Sequence, residues 1–386
     1  GLNNTPQVKI TFSSPINQAS IISNITLNDV NGNPITYTSS LENNDNTIVI
    51  TTNTLQALTK YILNVNTGLM AKSGNKLQSA ISVNLITAVD ETDKFARISD
   101  DELLTLVQKQ TFKYFWDFGH PTSGLARERN SSGNTVTSGG SGFGIMTIPI
   151  AINRGFITKA EGLARIQKIV SFLKTADRFH GVFPHWLDGN TGKVIPFSAK
   201  DNGGDLVETA FLCEGLICIR EYFKNGTSEE QALAQKADDL WKGVEWDWYT
   251  KGENALYWHW SPNYEWQMNF KLEGYNECLA AYIMGAASPT HSIPNEAYHQ
   301  AWARNGAIVT SGSKFGIPLI FNHNGATGTV GPMFWAHYSY LGLDPRGLSD
   351  QYANYWDLNK NHTEIIYQHC VTNPNNFTGY SNKCWG

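Results

Sequence analysis

The spacing of apolar residues changes once along this chain, near residue 90, and that change limits the folds open to it. Up to residue 88 the period is two. Val8-Lys9-Ile10-Thr11-Phe12, Thr47-Ile48-Val49-Ile50 and Tyr61-Ile62-Leu63-Asn64-Val65 alternate apolar and polar side chains, as half-buried strands do. Asn31-Gly32-Asn33-Pro34, Glu42-Asn43-Asn44-Asp45-Asn46 and Lys72-Ser73-Gly74-Asn75 punctuate them, with residues that favour turns. Short strands at this spacing predict a β-sandwich of about seven strands. The segment has no cluster of carboxylates or histidines, so it reads as a spacer.

From residue 89 the chain reads differently. Residues 89–98, opening Val89-Asp90-Glu91-Thr92-Asp93, form a short polar linker. Ser99-Asp100-Asp101-Glu102 is a capping box, with Ser99 as N-cap and Glu102 at N3. Leu103, Leu104, Val107, Thr111, Tyr114 and Phe115 then recur at helical spacing. Further helices are predicted near 143–154, 158–175, 205–224, 228–248, 268–284, 294–305, 347–357 and 361–371. No strand is interleaved as a βαβ unit demands, so Rossmann and TIM architectures are disfavoured. The expectation is a multidomain chain: a sandwich over 1–88, a linker, and an all-α toroid of paired helices over 99–386. Six pairs need twelve helices, and the pattern supplies about nine or ten, so either the toroid is incomplete at its C-terminal end or short helices escape the pattern.

Charged residues are only 16% of the chain while aromatics reach 12%, which suits a sugar ligand. A pyranose offers C–H faces that stack on rings and hydroxyls that need neutral polar partners. A net charge of −5 without a basic run argues against nucleic acid as a partner. No apolar run is long enough to span a membrane, and the start, Gly1-Leu2-Asn3-Asn4-Thr5, is no signal sequence. Five cysteines without CxxC spacing argue against a zinc site or a disulfide framework. A Cys370–Cys384 bridge would be the one pairing to consider.

The stretch Asp201-Asn202-Gly203-Gly204-Asp205-Leu206-Val207-Glu208 is the most informative in the chain. Asp205 falls at a predicted N-cap, Glu208 three residues into an apolar and therefore buried helix, and Asp201 on a Gly-rich loop before them. Glycosidic cleavage needs two carboxyl groups in different protonation states. Three crowded acids raise at least one pKa, as an acid catalyst requires. Asp205-x-x-Glu208 is also a capping pattern favoured by the helix dipole, so a purely structural reading competes. Glu277 is a further candidate, an acid in a predicted apolar helix that is costly unless paired. Arg127 and Arg129 could serve carboxylates or sugar hydroxyls.

Three aromatic loops accompany the acids. They are Pro184-His185-Trp186, the run Trp258-His259-Trp260-Ser261-Pro262-Asn263-Tyr264-Glu265-Trp266, and Phe334-Trp335-Ala336-His337-Tyr338-Ser339-Tyr340. Trp186, Trp260, Tyr264, Phe334, His337 and Tyr338 are the candidate sugar-binding residues, with core packing as the alternative for any one ring. A Walker A loop, H-E-x-x-H and G-x-S-x-G are all missing. The Gly139–Gly144 run lacks dinucleotide spacing, and the ten histidines show no ligand spacing.

Two resemblances follow. "ITFSSPI", "TLQALTKYILNV" and "SGNKL" resemble bacterial Ig-like domains found ahead of exported enzymes. The pieces "GFGIMTIPIAINRGFIT", "GVFPHWLDGNTGKVIPFS", "DNGGDLVETAFLCEGL", "GYNECLAAYIMGAASPTHSIP", "FWAHYSYLGLDPRGL" and "GYSNKCWG" resemble the bacterial glucoamylase-like family, which includes the endo-β-1,2-glucanases. That resemblance implies an (α/α)6 toroid and inverting hydrolysis with no metal or organic cofactor. It places the acids at Asp201, Asp205 and Glu208, with Glu277 a further cleft acid. It also implies a polysaccharide or oligosaccharide substrate and a periplasmic, cell-surface or secreted location. Membrane attachment would come only through a lipid anchor outside this chain, and a monomer is expected. Family members continue past the Cys-Trp-Gly element, where this chain ends. The rival readings are cleavage of another glucan, hydrolytic or phosphorolytic, and a non-catalytic glycan-binding protein.

Overall fold

The computed structural model describes residues 1–323, 326 and 328–386. The chain divides into two compact units, Gly1–Arg97 with His369–Trp385, and Ile98–Gln368 with Gly386.

The first unit is built on six strands rather than seven. β1 (Gln7–Thr11), β4 (Thr47–Thr52) and β3 (Tyr37–Glu42) form one antiparallel sheet, with β4 central. β2 (Ile25–Asp29), β5 (Lys60–Val65) and β6 (Ile81–Ile86) form the other, with β5 central. One face of each sheet is apolar, and the two share a single core of Ile25, Leu27, Ile48, Ile50, Tyr61, Leu63 and Val65. At the N-terminus Leu2 makes a single bridge to Thr87, too short to count as a strand.

The second unit is helical: α1 (Asp100–Trp116), α2 (Ser138–Asn153), α3 (Lys159–Leu173), α4 (Leu206–Phe223), α5 (Ser228–Lys242) and α6 (Leu279–Ala287). α1 starts at the capping box, with the Ser99 side chain accepting from the Glu102 backbone N–H and Glu102 reaching back. α4 is the central rod, packed on α2, α5 and α6. Glycines let α2 approach it closely. A Cβ on Gly142 would lie 2.1 Å from the Phe211 carbonyl oxygen, and one on Gly215 would lie 2.5 Å from the Gly142 carbonyl oxygen. Gly142 and Gly215 thus form a backbone-to-backbone helix seam, of the kind only glycine allows.

Three helix expectations are corrected. The helix placed at 268–284 begins only at Leu279, because Gly274 takes a left-handed φ of +73° and the Asn276 side chain accepts from the Cys278 N–H. The pair expected at 347–357 and 361–371 is one helix, Tyr355–Thr372. The third aromatic loop contains a short helix, Met333–His337, and a 3-10 turn, Tyr338–Tyr340. All five cysteines are free, so the Cys370–Cys384 pairing does not form. No described helix is long and apolar enough to cross a membrane.

Candidate active site

Asp205 closes β10 (Gly204–Asp205), which pairs antiparallel with β11 (His259–Trp260), so that Asp205 faces His259 in register. Its extended backbone makes it the N-cap of α4, and Oδ1 accepts from the N–H groups of Val207 and Glu208 at 3.1 and 3.0 Å. The capping reading is therefore correct in geometry. It does not exhaust the residue, because Oδ2 lies 2.9 Å from Nδ1 of His185. Gly203 and Gly204 permit this crossing. A Cβ on Gly203 would sit 2.0 Å from the Trp260 carbonyl oxygen, and one on Gly204 would sit 2.3 Å from the Tyr249 hydroxyl.

Glu208, one turn into α4, reaches the N-terminus of α2. Its Oε2 accepts from the Gly139 N–H at 3.0 Å and from the Thr137 hydroxyl at 3.2 Å. A side chain on Gly139 would collide with it, since a Cβ there would lie 2.3 Å from Oε2. These donors and the positive end of the helix favour the charged form. Burial, together with the negative charge of Asp205, outweighs them and lifts Glu208 to about 6.

Asp201 is held in a tight bend rather than a flexible loop. Its N–H donates to the Ser198 carbonyl at 3.1 Å, and its carbonyl accepts from Phe197 at 2.9 Å. Its side chain is buried, with Oδ1 3.2 Å from Nε2 of His259 and Oδ2 without a hydrogen-bond partner. Burial, then Asp205, raises its pKa to about 7. Glu277 precedes α6 instead of lying within a helix. Burial raises it to about 8, helped by the charges of Glu208 and Asp205 and opposed by His185 and a hydrogen bond from Trp335. Asp205 and Glu208 thus act on both Asp201 and Glu277.

His185 is the cation among them. Burial pulls its pKa down, but the hydrogen bond to Asp205 and the charges of Asp205, Glu208 and Asp201 win, at about 9. Its ring stacks on Phe197 at 4.1 Å. Near neutrality the cluster holds an imidazolium and carboxyl groups of split proton affinity, a combination suited to acid and base work on one substrate.

The other candidates divide. Trp186 opens β8 (Trp186–Asp188), its ring edge-on to Phe197 and next to His185. Tyr338 packs on Phe143 and Phe211, and burial with the charges of Glu277 and Glu208 raises its pKa. Phe334 is exposed and leans on Tyr338. Arg127 bridges to Val136 in β7 (Thr135–Thr137), with its Nε buried and unpartnered. Arg129 is exposed and paired with Glu128. Trp260 alternates with His259 along β11, so its ring turns away from Asp201 and packs beside His180 and Trp248. Tyr264 sits in the turn after β11, its N–H on the Ser261 hydroxyl. His337 is half-buried and packs in a ring cluster with the buried His323 and His362.

Sequence reasoning missed His185, His259, Thr137 and Gly139. The two histidines were visible only as polar members of aromatic loops. The donors to Glu208 lie about seventy residues upstream of it and leave no local signal.

Residues 1–87 match the bacterial Ig-like domain family, and residues 269–386 match the glucoamylase family model named Glycoamylase. An exo β-1,2-glucooligosaccharide sophorohydrolase (non-reducing end) of Parabacteroides distasonis is 41% identical over 311 residues, 75% of this chain and 42% of that protein. The chain therefore spans less than half the length of that curated relative. The solved endo-β-1,2-glucanase of Chitinophaga pinensis, in complex with sophorotriose and glucose, is 55% identical with a TM-score of 0.73, covering 75% of this chain and 71% of that one. A β-1,2-glucanase structure from Parabacteroides distasonis is 33% identical with a TM-score of 0.69, covering 100% of this chain and 56% of that one. With 55% identity over an alignment covering 71% of a solved relative, the chain belongs to the glucoamylase-like family that includes the Chitinophaga pinensis endo-β-1,2-glucanase.

Proposed function

We propose that this chain hydrolyses a β-1,2-linked glucan by an inverting mechanism, on the cluster of Asp201, Asp205, Glu208 and Glu277. One observation carries the reading: a buried Asp201 and the half-buried Glu208 and Glu277 have proton affinities spread from about 6 to about 8 around a single imidazolium. In an inverting reaction a protonated carboxyl donates to the leaving oxygen while an ionised one takes a proton from the attacking water. Room for that water needs a carboxyl separation of roughly 6.5–9.5 Å. Asp201 and Glu277 hold protons most readily and are the acid candidates. Glu208 and Asp205 are the base candidates, Asp205 being held by His185. The relatives with β-1,2-glucan activities support the choice of linkage.

The same reading assigns the helical unit to an (α/α)6 toroid whose rim forms the glucan groove. Trp186, Tyr338 and Phe334 supply rings beside the acids. Arg127 and Arg129 supply cations near β7, while Tyr264, Trp260 and His337 stand further round the rim. The protein works outside the cytoplasm as a monomer, with the Ig-like unit as a spacer. Incubation with linear β-1,2-glucan, laminarin and starch tests the proposal. Reducing ends should appear from β-1,2-glucan alone, and the first product should carry the inverted anomeric configuration by proton NMR. Binding of β-1,2-glucan without turnover would instead support a capture protein and sink the hydrolase reading.

A further inference from the structure

His259 is buried on β11, and its ring nitrogens are in unequal company. Nε2 accepts a hydrogen bond from the Gly203 backbone N–H at 3.1 Å and lies 3.2 Å from Oδ1 of Asp201. Nδ1 is buried with no partner. A backbone N–H can only donate, so Nε2 must present its lone pair. The ring is then neutral, with its proton on Nδ1. Burial also disfavours the charged ring, against the opposing charge of Asp205.

The neighbouring carboxyl follows from this. An ionised Asp201 would set an oxygen lone pair against a nitrogen lone pair. A protonated Asp201 turns the same contact into an O–H donor that shares the single Nε2 lone pair with the Gly203 N–H. We infer that His259 is a positioning residue that, through the unprotonated Nε2, holds a proton on Asp201 and so keeps Asp201 as a neutral acid in the cluster.

The backbone keeps this arrangement from relaxing. Gly203 lies so close to Trp260 that a Cβ would strike its carbonyl, and the adjoining Gly204 is paired in register with Trp260. His259 is fixed by its pairing with Asp205, and Asp201 by its bonds to Ser198 and Phe197. The charged groups acting on Asp201 are Asp205 and Glu208, which favour its proton, and His185, which opposes it. Asp205 is the one that acts on His259. The inference rests on the hydrolase reading only for its kinetic consequence. Once Asp201 has given its proton to the leaving oxygen, its carboxylate faces the Nε2 lone pair, a contact that favours taking a proton back from water.

His259→Gln tests it. The glutamine carbonyl can accept from Gly203 while its amide donates to Asp201, which stabilises the ionised carboxylate. The alkaline limb of kcat/KM on β-1,2-glucan oligosaccharides should move about one pH unit toward acid, with about a tenfold loss at the parent's optimum. A uniform loss at every pH, with the limb unmoved, would mean that His259 is only structural and would overturn the inference. Nitrogen-15 NMR on histidine-labelled parent protein gives a readout that needs no turnover. His259 should show an unprotonated Nε2 and a protonated Nδ1 between pH 5 and 8. A proton on Nε2 would overturn the inference even in a fully active protein. An inactive parent with the expected tautomer would count against the hydrolase reading alone.

Discussion

The two units treat the same side chain in opposite ways. The sandwich carries three acids, Asp29, Glu42 and Asp45, and none is buried. Asp29 is held below the usual carboxylate range by hydrogen bonds from Asn33, and Glu42 pairs with Lys9 at 2.7 Å across exposed strands. In the acid cluster, by contrast, Asp201, Glu208 and Glu277 are lifted by desolvation and by neighbouring carboxylates. Residue type is constant and environment is not, so the direction of the pKa shift separates a solvated surface from a site. A spacer can afford only the first arrangement, because an enclosed acid cluster costs stability that a small apolar core cannot spare.

The sharpest way to break this contrast is Asp205→Asn. Asparagine remains a good N-cap, so the melting temperature should change little. The negative partner of His185 is lost, however, and turnover of linear β-1,2-glucan should fall at least about 100-fold. Activity within threefold of the parent would reduce Asp205 to a cap and place the chemistry elsewhere.

The next effect concerns Glu214, two turns further along α4. It is buried, neither carboxyl oxygen has a hydrogen-bond partner, and burial raises its pKa to about 9. Its unfolded value is near 4.5, so between those values the folded state binds more protons than the unfolded chain. Stability from this group is complete below the unfolded pKa and is lost as pH rises through the window toward 9. Glu214→Gln should be nearly neutral at pH 4 and more stable than the parent at pH 8, by at least about 1.4 kcal/mol. Denaturation at the two pH values checks it, and parallel curves would mean that Glu214 is ionised in the fold.

The smallest effect belongs to the sandwich. Lys9→Ala breaks an exposed pair and should cost less than about 0.5 kcal/mol, shrinking further in high salt. A larger loss in thermal unfolding would show that the surface acids of the sandwich are not simply solvated.

Much of this was legible along the chain. Alternation at Val8–Phe12, Thr47–Ile50 and Tyr61–Val65 marked three strands that the structure contains. The Ser99 capping box and the start of α4 at Asp205 are local hydrogen-bond patterns, readable from a few residues. The stretch before α6 was misread because Leu272, Tyr275 and Cys278 have helical spacing, while Asn276 offers the backbone a competing partner. His259 and His185 were hidden inside aromatic loops, since nothing local reports that a strand pairing sets one against Asp201 or that a chain crossing sets the other against Asp205.

Local chemistry therefore decided which residues carry charge, cap helices and alternate in strands, because each depends on neighbours within about one helical turn. Folding in three dimensions decided their protonation. Gly139 had to meet Glu208, Gly203 had to lie against Trp260, and His259 had to face Asp201 before any carboxyl could differ from an ordinary one. Desolvation and the fields of neighbouring charges come from residues brought together through space, and spacing along the chain does not encode them.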